Sequence, residues 1–244
     1  MRVKITLSYD GSHFMGFQIQ KNETKASQTV AGAITRALKR INIDENVVGS
    51  GRTDSGVHAT HQVVHIDLPA FWNDLEKLKD HLNGFLNPYI FIKSISTATA
   101  SFHARFSAKK RLYRYVLYDG AYQPFLANYA YHVKSLDVMK LNDYAQIFVG
   151  FHNFEYFKKL GGETTNDKRT IFKAGAYRHN NFIIIYFLGN AFLRSQVRMM
   201  CGSLLKACEG SLSYEDIIAQ RERKMKVSTT LIPACGLYLS RVYY

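Results

Sequence analysis

The hydrophobic pattern changes period along the chain, and this limits the possible folds more than any other feature. Apolar residues alternate with polar ones at Val3, Ile5, Leu7 and Tyr9, which predicts a half-buried strand. From Ser27 onward, apolar residues recur at helical spacing, namely at Val30, Ile34, Leu38 and Ile41. Such a chain must pack helices against a sheet.

Later segments repeat both periods without a strict strand–helix–strand rhythm. Strands are expected over residues 62–68, 112–118 and 182–187, a helix over 77–86, and a polar loop over 161–169. Asn190 is expected to cap a helix whose apolar stripe is Leu193, Val197, Met200 and Leu204. Ser213 and Asp216 form a capping-box pattern before a last, basic helix. The mixture favours the α+β class.

The chain carries a large excess of positive charge. It has 32 Lys and Arg against 19 Asp and Glu, a net charge of +13. An excess of this size indicates an acidic partner, most often the phosphates of a nucleic acid, although a basic surface can also serve solubility. The three cysteines form no C-x-x-C pair, and we find neither a signal peptide nor an apolar stretch of membrane-spanning length. We therefore expect a reducing cytoplasm and no membrane.

The densest polar cluster is residues 49–58, in which glycines flank Asp54 and Arg52 precedes it by two positions. Glycines allow the close backbone approach that a ligand site needs, and a nearby guanidinium favours the ionised carboxylate. Asp54 is therefore a candidate nucleophile or base. The alternative is a tight turn in which Asp54 bonds its own backbone.

Three histidines follow this cluster, at His58, His61 and His65. On a strand, His58 and His61 would face opposite sides, and no cysteine or carboxylate cluster completes a metal site. We therefore expect no metal. Ser55 does not stand in a G-x-S-x-G motif, which argues against a serine hydrolase.

Aromatic and basic residues also lie together in two other places. Residues 102–106 precede Lys109, Lys110 and Arg111, and on the following strand Tyr113 and Tyr115 would share one face while Arg114 takes the other. Such faces suit base stacking and phosphate contact, or a pair of core tyrosines. Arg194 and Arg198, four apart on an expected helix, would reach the same side, as a nucleic-acid contact or as a solvated basic face.

Several motifs, in order along the chain, resemble those of the TruA family of tRNA pseudouridine synthases. The resemblance begins with Tyr9-Asp10-Gly11, Phe14, Gly16, Gln18 and Gln20, and is most specific at Gly51-Arg52-Thr53-Asp54-Ser55-Gly56-Val57-His58-Ala59. It continues through Phe102-His103-Ala104-Arg105-Phe106, then Gly150, His152 and Phe154, then Asn190-Ala191-Phe192 with Arg198, and Gly236-Leu237.

The resemblance implies two ferredoxin-like halves, residues 1–107 and 108–244. They would form one continuous, mainly antiparallel sheet flanked by helices, with the active cleft between them. It also implies a homodimer in which each tRNA contacts both subunits. Asp54 would be the catalytic carboxylate, paired with Arg198. Arg52 would displace the target base, Tyr113 would stack on it, and Leu237 would also bind substrate. Backbone contacts are expected from Arg105, Lys109, Lys110, Arg111 and Arg194.

The expected activity is that of a cofactor-independent isomerase, which converts uridine to pseudouridine at positions 38, 39 and 40 of the tRNA anticodon stem-loop. Two alternatives belong to other classes. A non-catalytic RNA-binding protein would explain the charge and the aromatic residues but would leave Asp54 without a role. A metal-dependent hydrolase would use the histidines and would be inhibited by chelators.

Overall fold

The computed structural model describes residues 1–19, 28–161 and 166–244, and these residues separate into two compact units. Unit 1 comprises Met1–Lys109 and Leu239–Tyr244, and unit 2 comprises Lys110–Tyr238. Gln20, Ser27 and residues 162–165 of the expected polar loop lie outside the described residues. The fold is of the mixed α+β class expected from the sequence.

Ten strands are found in the described residues. They are β1 (Arg2–Tyr9), β2 (Val48–Gly49), β3 (His58–Asp67), β4 (Ile90–Thr97), β5 (Lys110–Tyr118), β6 (Tyr131–His132), β7 (Gly150–Asn153), β8 (Lys168–His179), β9 (Phe182–Gly189) and β10 (Leu237–Tyr243). The same residues contain five α-helices, namely α1 (Val30–Lys39), α2 (Leu75–Leu86), α3 (Val138–Ala145), α4 (Gln196–Cys208) and α5 (Tyr214–Arg221).

Unit 1 follows the ferredoxin-like order β1-α1-β2-β3-α2-β4. Strand β1 pairs antiparallel with both β3 and β4, and the short β2 pairs with β3. Val3, Ile5 and Leu7 are fully buried on one face of β1, as their alternation predicted. Helix α2 packs against β4, and α1 packs against α2.

The end of the chain differs from the sequence-based division into halves, because Leu239–Tyr244 belong to unit 1. The cause is backbone pairing. The Lys109 N–H donates to the Tyr243 carbonyl at 2.8 Å. In addition, the Tyr244 hydroxyl donates to the Ala104 carbonyl at 2.8 Å, and the Thr60 hydroxyl donates to the Ser240 carbonyl at 3.4 Å.

Unit 2 repeats the element order of unit 1 with β5, α3, β8, β9 and α4. Its strands lie in the order β5-β9-β8-β7 with antiparallel neighbours, and β6 runs parallel beside β5. Helix α3 packs on β8, and α4 packs on α3 and β5. Tyr115, Ile185 and Phe187 are fully buried in the resulting core.

Several expected boundaries need correction. Helix α1 begins at Val30 with Thr29 as its cap and ends at Lys39, so Ile41 lies beyond it. Asn190 does not cap α4, which begins at Gln196. The Asn190 side chain instead accepts hydrogen bonds from the Thr170 and Ala191 N–H groups at 3.0 and 2.7 Å. Arg194 consequently precedes the helix that carries Arg198.

Strands β4 and β8 are among those that the hydrophobic pattern did not predict, as are the shorter β2, β6 and β7, and β8 begins with the last residues of the expected polar loop. The capping box was predicted correctly. Ser213 Oγ accepts from the Asp216 N–H at 3.0 Å, and the Asp216 carboxylate accepts from the Ser213 N–H at 2.9 Å.

A pair of glycine substitutions tests the backbone geometry of unit 1. Gly84 lies in the exposed part of α2, and an added Cβ would meet nothing within 4 Å. Gly84→Ala should therefore raise the free energy of unfolding by about 0.5–1 kcal/mol, since alanine loses less backbone entropy than glycine. Gly16 has φ +95°, and its Cβ would lie 2.8 Å from the Thr53 carbonyl oxygen. Gly16→Ala should lower the melting temperature; equal melting temperatures for the two variants would contradict this geometry.

Candidate active site

Asp54 lies in the loop between β2 and β3, residues 50–57, which we call the Asp54 loop. The side chain of Asp54 is half-buried and that of Arg52 is exposed. Strand pairing fixes both ends of the loop, because β2 ends at Gly49 and β3 begins at His58. The pairing of β2 and β3 therefore fixes the two ends of the loop that carries this half-buried carboxylate.

A buried amide holds the start of the Asp54 loop. Gln62 is fully buried, and its Oε1 accepts from the Ser50 hydroxyl at 2.6 Å and from the Val63 N–H at 3.1 Å. Its Nε2 donates to the Gly51 carbonyl at 3.1 Å. Because buried polar groups that lose their partners are costly, these bonds strongly favour one path for residues 50 and 51.

Residues 9–17, which we call the N-terminal segment, hold the middle of the loop. The Tyr9 hydroxyl bonds Thr53 Oγ1 at 2.8 Å in a buried position. The Phe17 N–H donates to the Thr53 carbonyl at 3.1 Å. The Phe14 carbonyl accepts from the Gly56 N–H at 3.4 Å and from the Ser55 hydroxyl at 3.3 Å. The residues on both sides of Asp54 are thus bonded to one segment.

The two backbones approach too closely for side chains at two positions. A Cβ at Gly16 would lie 2.8 Å from the Thr53 carbonyl oxygen, and a Cβ at Gly11 would overlap the Val57 carbonyl. Glycine is required at such contacts because any larger residue would displace the loop. Gly11 and Gly16 therefore set the distance between the N-terminal segment and the Asp54 loop.

His58 closes the loop as a structural residue. It is 2% exposed, and its Nδ1 accepts from the Gly11 N–H at 3.0 Å. The same nitrogen lies 3.3 Å from Asp10 Oδ1. These contacts are alternatives, since Nδ1 can accept from Gly11 only when it carries no proton. In either state, the ring connects β3 to the N-terminal segment.

Among the described residues, the environments of His61 and His65 also give these histidines no arrangement typical of metal ligands. Burial lowers the pKa of His61, as do the nearby cations Lys93, Arg241 and Lys4. Burial likewise lowers the pKa of His65. His65 Nδ1 accepts a hydrogen bond from the Ala104 N–H at 3.1 Å, so the ring stabilises the backbone at Ala104. Within the described ranges, no group of three or more metal-binding side chains forms a metal site.

The bond from Ala104 to His65 holds the loop that carries Arg105. The Arg105 guanidinium lies 5.5 Å from the centroid of the Phe106 ring, and Phe106 is 76% exposed. Lys109 is also exposed on unit 1. This part of unit 1 offers cations and an aromatic ring to solvent.

Tyr113 lies on β5 of unit 2 and shares a buried face with Tyr115, while Arg114 is exposed on the other face, as the alternation predicted. The Tyr113 ring packs edge-on against Phe192, with centroids 5.1 Å apart. Tyr113 is 7% exposed. Burial raises the pKa of Tyr115, whose hydroxyl donates to the Pro233 carbonyl at 2.7 Å.

The cations of unit 2 differ in accessibility. Arg111 is 8% exposed and donates to the Asn190 carbonyl at 2.8 Å, which leaves little of it for a phosphate. Lys110 is exposed and lies 5.1 Å from the centroid of the Phe172 ring. Arg194 is also exposed and donates to the Leu160 carbonyl at 3.1 Å. Arg111 is thus less accessible than Lys110 and Arg194.

Arg198 and Leu237 are held by the segment that precedes β10. Arg198 is half-buried on α4, and its Nε donates to the Ile232 carbonyl at 2.8 Å. Leu237 is buried, and its N–H donates to the Ala234 carbonyl at 2.9 Å. The expected site residues therefore fall into two sets, with Arg52, Asp54, Arg105 and Lys109 in unit 1 and the others in unit 2.

The structural role of the N-terminal segment was not predicted from the sequence, where its residues served only as part of a resemblance. Tyr9, Gly11 and Gly16 position the Asp54 loop, yet they lie about 40 residues before it in the sequence. The available signal was the pair of glycines beside alternating apolar residues, but that pattern also occurs in ordinary turns. Only the three-dimensional pairing identifies these residues as positioning residues.

A double-mutant cycle tests the bond between Tyr9 and Thr53. Tyr9→Phe should lower the free energy of unfolding by about 1–3 kcal/mol, because it leaves the buried Thr53 hydroxyl without this partner. Adding Thr53→Val should recover part of that loss, since both partners are then apolar. Urea unfolding of the two single variants and the double variant gives the coupling energy. Strictly additive losses would mean that the two hydroxyls do not interact.

Comparison with known proteins gives one consistent result. A family model described as tRNA pseudouridine synthase matches residues 5–107 and 144–244. The tRNA pseudouridine synthase A of Campylobacter jejuni is 37% identical over 244 residues, covering 100% of both chains. The protein of the same name from Helicobacter pylori is 40% identical, over 99% of this chain and 98% of the relative. The chain therefore belongs to the tRNA pseudouridine synthase family.

Proposed function

We propose that this chain isomerises uridine to pseudouridine at positions 38, 39 and 40 of the tRNA anticodon stem-loop, with Asp54 as the catalytic nucleophile. The observation that carries the proposal is the Asp54 loop. Residues on both sides of the half-buried Asp54 are bonded to the N-terminal segment through Thr53, Ser55 and Gly56. Family membership supports the reaction class.

The reaction balances without a second substrate. The N1–C1′ bond of uridine breaks, the uracil ring rotates, and a C5–C1′ bond forms. The hydrogen on C5 leaves to solvent, and N1 takes up a proton, so the product is an isomer. Because there is no net oxidation or hydrolysis, the chemistry calls for no cofactor and no metal.

Asp54 can promote this reaction in three ways. Its carboxylate can add to C6 of uracil, attack C1′ of the ribose, or remove the C2′ proton to give a glycal intermediate. Each route needs a carboxylate at a fixed position beside the nucleotide, since orientation supplies much of the rate enhancement. The backbone bonds of Thr53 and Gly56 favour such a fixed position.

The target base must leave its stack before it reaches Asp54, which costs a few kcal/mol. In our proposal Arg52 displaces the base, Tyr113 stacks on it, and Arg198 and Leu237 complete the binding residues. The net charge of +13 supports binding to phosphates. We assign backbone contacts to Arg105, Lys109, Lys110, Arg111 and Arg194, of which Arg111 is the most buried and the other four are exposed.

The proposal also includes a homodimer and a cytoplasmic location. These follow from the resemblance of the motifs and from the substrate, since tRNA is modified where it is made and used. No helix in the described ranges is long and apolar enough to span a membrane.

Asp54→Asn tests the proposal because it removes the nucleophile while keeping nearly the same shape. Pseudouridine formation in bulk tRNA should fall more than about a hundredfold, while tRNA binding and the melting temperature stay near those of wild type. Asp44→Asn is the matched control, because Asp44 is 85% exposed and should not affect turnover. An Asp54→Asn variant with more than roughly a hundredth of wild-type activity would rule out this nucleophile.

If neither wild type nor Asp54→Asn forms pseudouridine although both bind tRNA, the isomerase proposal is wrong. The chain would then be a non-catalytic RNA-binding protein. Chelator should leave the wild-type rate unchanged, whereas a metal-dependent hydrolase would lose its activity.

A further inference from the structure

A groove in unit 1 lies outside the residues assigned to the reaction. It has a volume of about 250 Å³ and is lined mainly by α1, the end of α2 and the start of β4. The side chains that matter here are those of Phe14, Arg36, Arg40, Phe85 and Tyr89. We call it the α1–α2 groove. Its volume is slightly below the roughly 300 Å³ at which pockets for drug-sized ligands begin, which suits a small ligand group.

Two arginines give the groove its charge. Arg36 and Arg40 are four residues apart on α1, so both guanidinium groups reach the same side of the helix, and both side chains are exposed. Among the described residues that line the groove, none carries a carboxylate. Guanidinium groups bind phosphate oxygens in a bidentate manner, so this wall is complementary to a phosphodiester.

Aromatic rings form the remainder of the wall. The Arg40 guanidinium lies 5.2 Å from the centroid of the Phe85 ring, and Phe85 is 39% exposed. The Tyr89 ring stacks on His13 with centroids 3.7 Å apart and is still 43% exposed. Exposed rings beside cations are the combination that binds an unpaired base together with its phosphate.

The groove is joined directly to the Asp54 loop. Phe14 lines the groove, and its carbonyl accepts bonds from Ser55 and Gly56 of that loop. Tyr89 is tied to the same N-terminal segment, because its carbonyl accepts from the Asp10 N–H at 2.9 Å. The groove and the loop that carries Asp54 therefore share the residue Phe14.

We propose that the α1–α2 groove binds one unpaired nucleotide of the RNA substrate, separate from the uridine that reacts. The base lies against Phe85 and Tyr89, and the adjoining phosphates pair with Arg36 and Arg40. The inference rests on the proposed function, since it takes tRNA as the ligand. It adds a second binding site for a nucleotide in unit 1.

Salt dependence of tRNA binding tests the phosphate contacts. The Arg36→Gln/Arg40→Gln variant should lower the slope of log Kd against log salt concentration by about 2, because each neutralised phosphate contact removes about 1. Lys39→Gln is the matched control on the same helix. Lys39 does not line the groove and pairs with Asp44 at 3.1 Å. The salt dependence of tRNA binding by Lys39→Gln should therefore have the wild-type slope. A double variant with the wild-type slope would overturn the proposal.

The aromatic wall gives an independent readout. Phe85→Ala should weaken tRNA binding roughly tenfold, as expected for loss of one stacked base. Phe71→Ala is the control, because Phe71 is 63% exposed and lies outside the groove. Phe71→Ala should leave both the tRNA affinity and the rate of pseudouridine formation at the wild-type values. Wild-type affinity of Phe85→Ala would overturn the assignment of the base.

The outcomes separate this inference from the proposed function. If wild type forms pseudouridine and the groove variants bind tRNA as wild type does, only the groove proposal fails. If wild type forms no pseudouridine but the groove variants lose affinity and salt dependence, the groove stands as an RNA site and the isomerase proposal fails.

Discussion

The contact between the N-terminal segment and the Asp54 loop is the constraint from which the other properties of the site follow. A catalytic carboxylate must be held within a fraction of an ångström, and a surface loop does not have that precision by itself. In this chain the precision comes from buried bonds such as Tyr9 to Thr53, and from glycines that let two backbones touch at Gly11 and Gly16. The N-terminal segment continues directly from β1. The position of this strand in the sheet therefore helps to fix the position of Asp54.

This arrangement explains how one segment can serve two tasks. The Phe14 carbonyl receives the bonds of the Asp54 loop, while the Phe14 residue also lines the groove beside Arg36 and Phe85. If the groove binds an unpaired nucleotide as we propose, that binding and the placement of Asp54, the proposed nucleophile, depend on the same segment. Electrostatic attraction acts over longer distances than these contacts. The net charge of +13 therefore attracts RNA before any of the contacts form.

Local sequence patterns predicted the parts of the fold that depend on local physics. The alternation at Val3, Ile5 and Leu7 predicted β1, and the Ser213 and Asp216 pair predicted the start of α5. Asn190 was misassigned as a helix cap because a cap and a turn use the same acceptor oxygen, and Thr170 on β8 supplies the donor in this fold. The positioning role of Tyr9 could not be predicted, since its partner Thr53 is 44 residues away and neither residue type is distinctive.

The fate of the hydrogen on C5 shows most directly whether this chain isomerises uridine using its own carboxylate. Bulk tRNA with tritium at C5 of uridine is incubated with the wild-type protein in excess chelator, and the tritium in water is counted beside the pseudouridine formed. We expect one equivalent of tritium released for each pseudouridine, with no added cofactor. Tight binding of the tRNA with all tritium retained in the RNA would contradict the isomerase proposal.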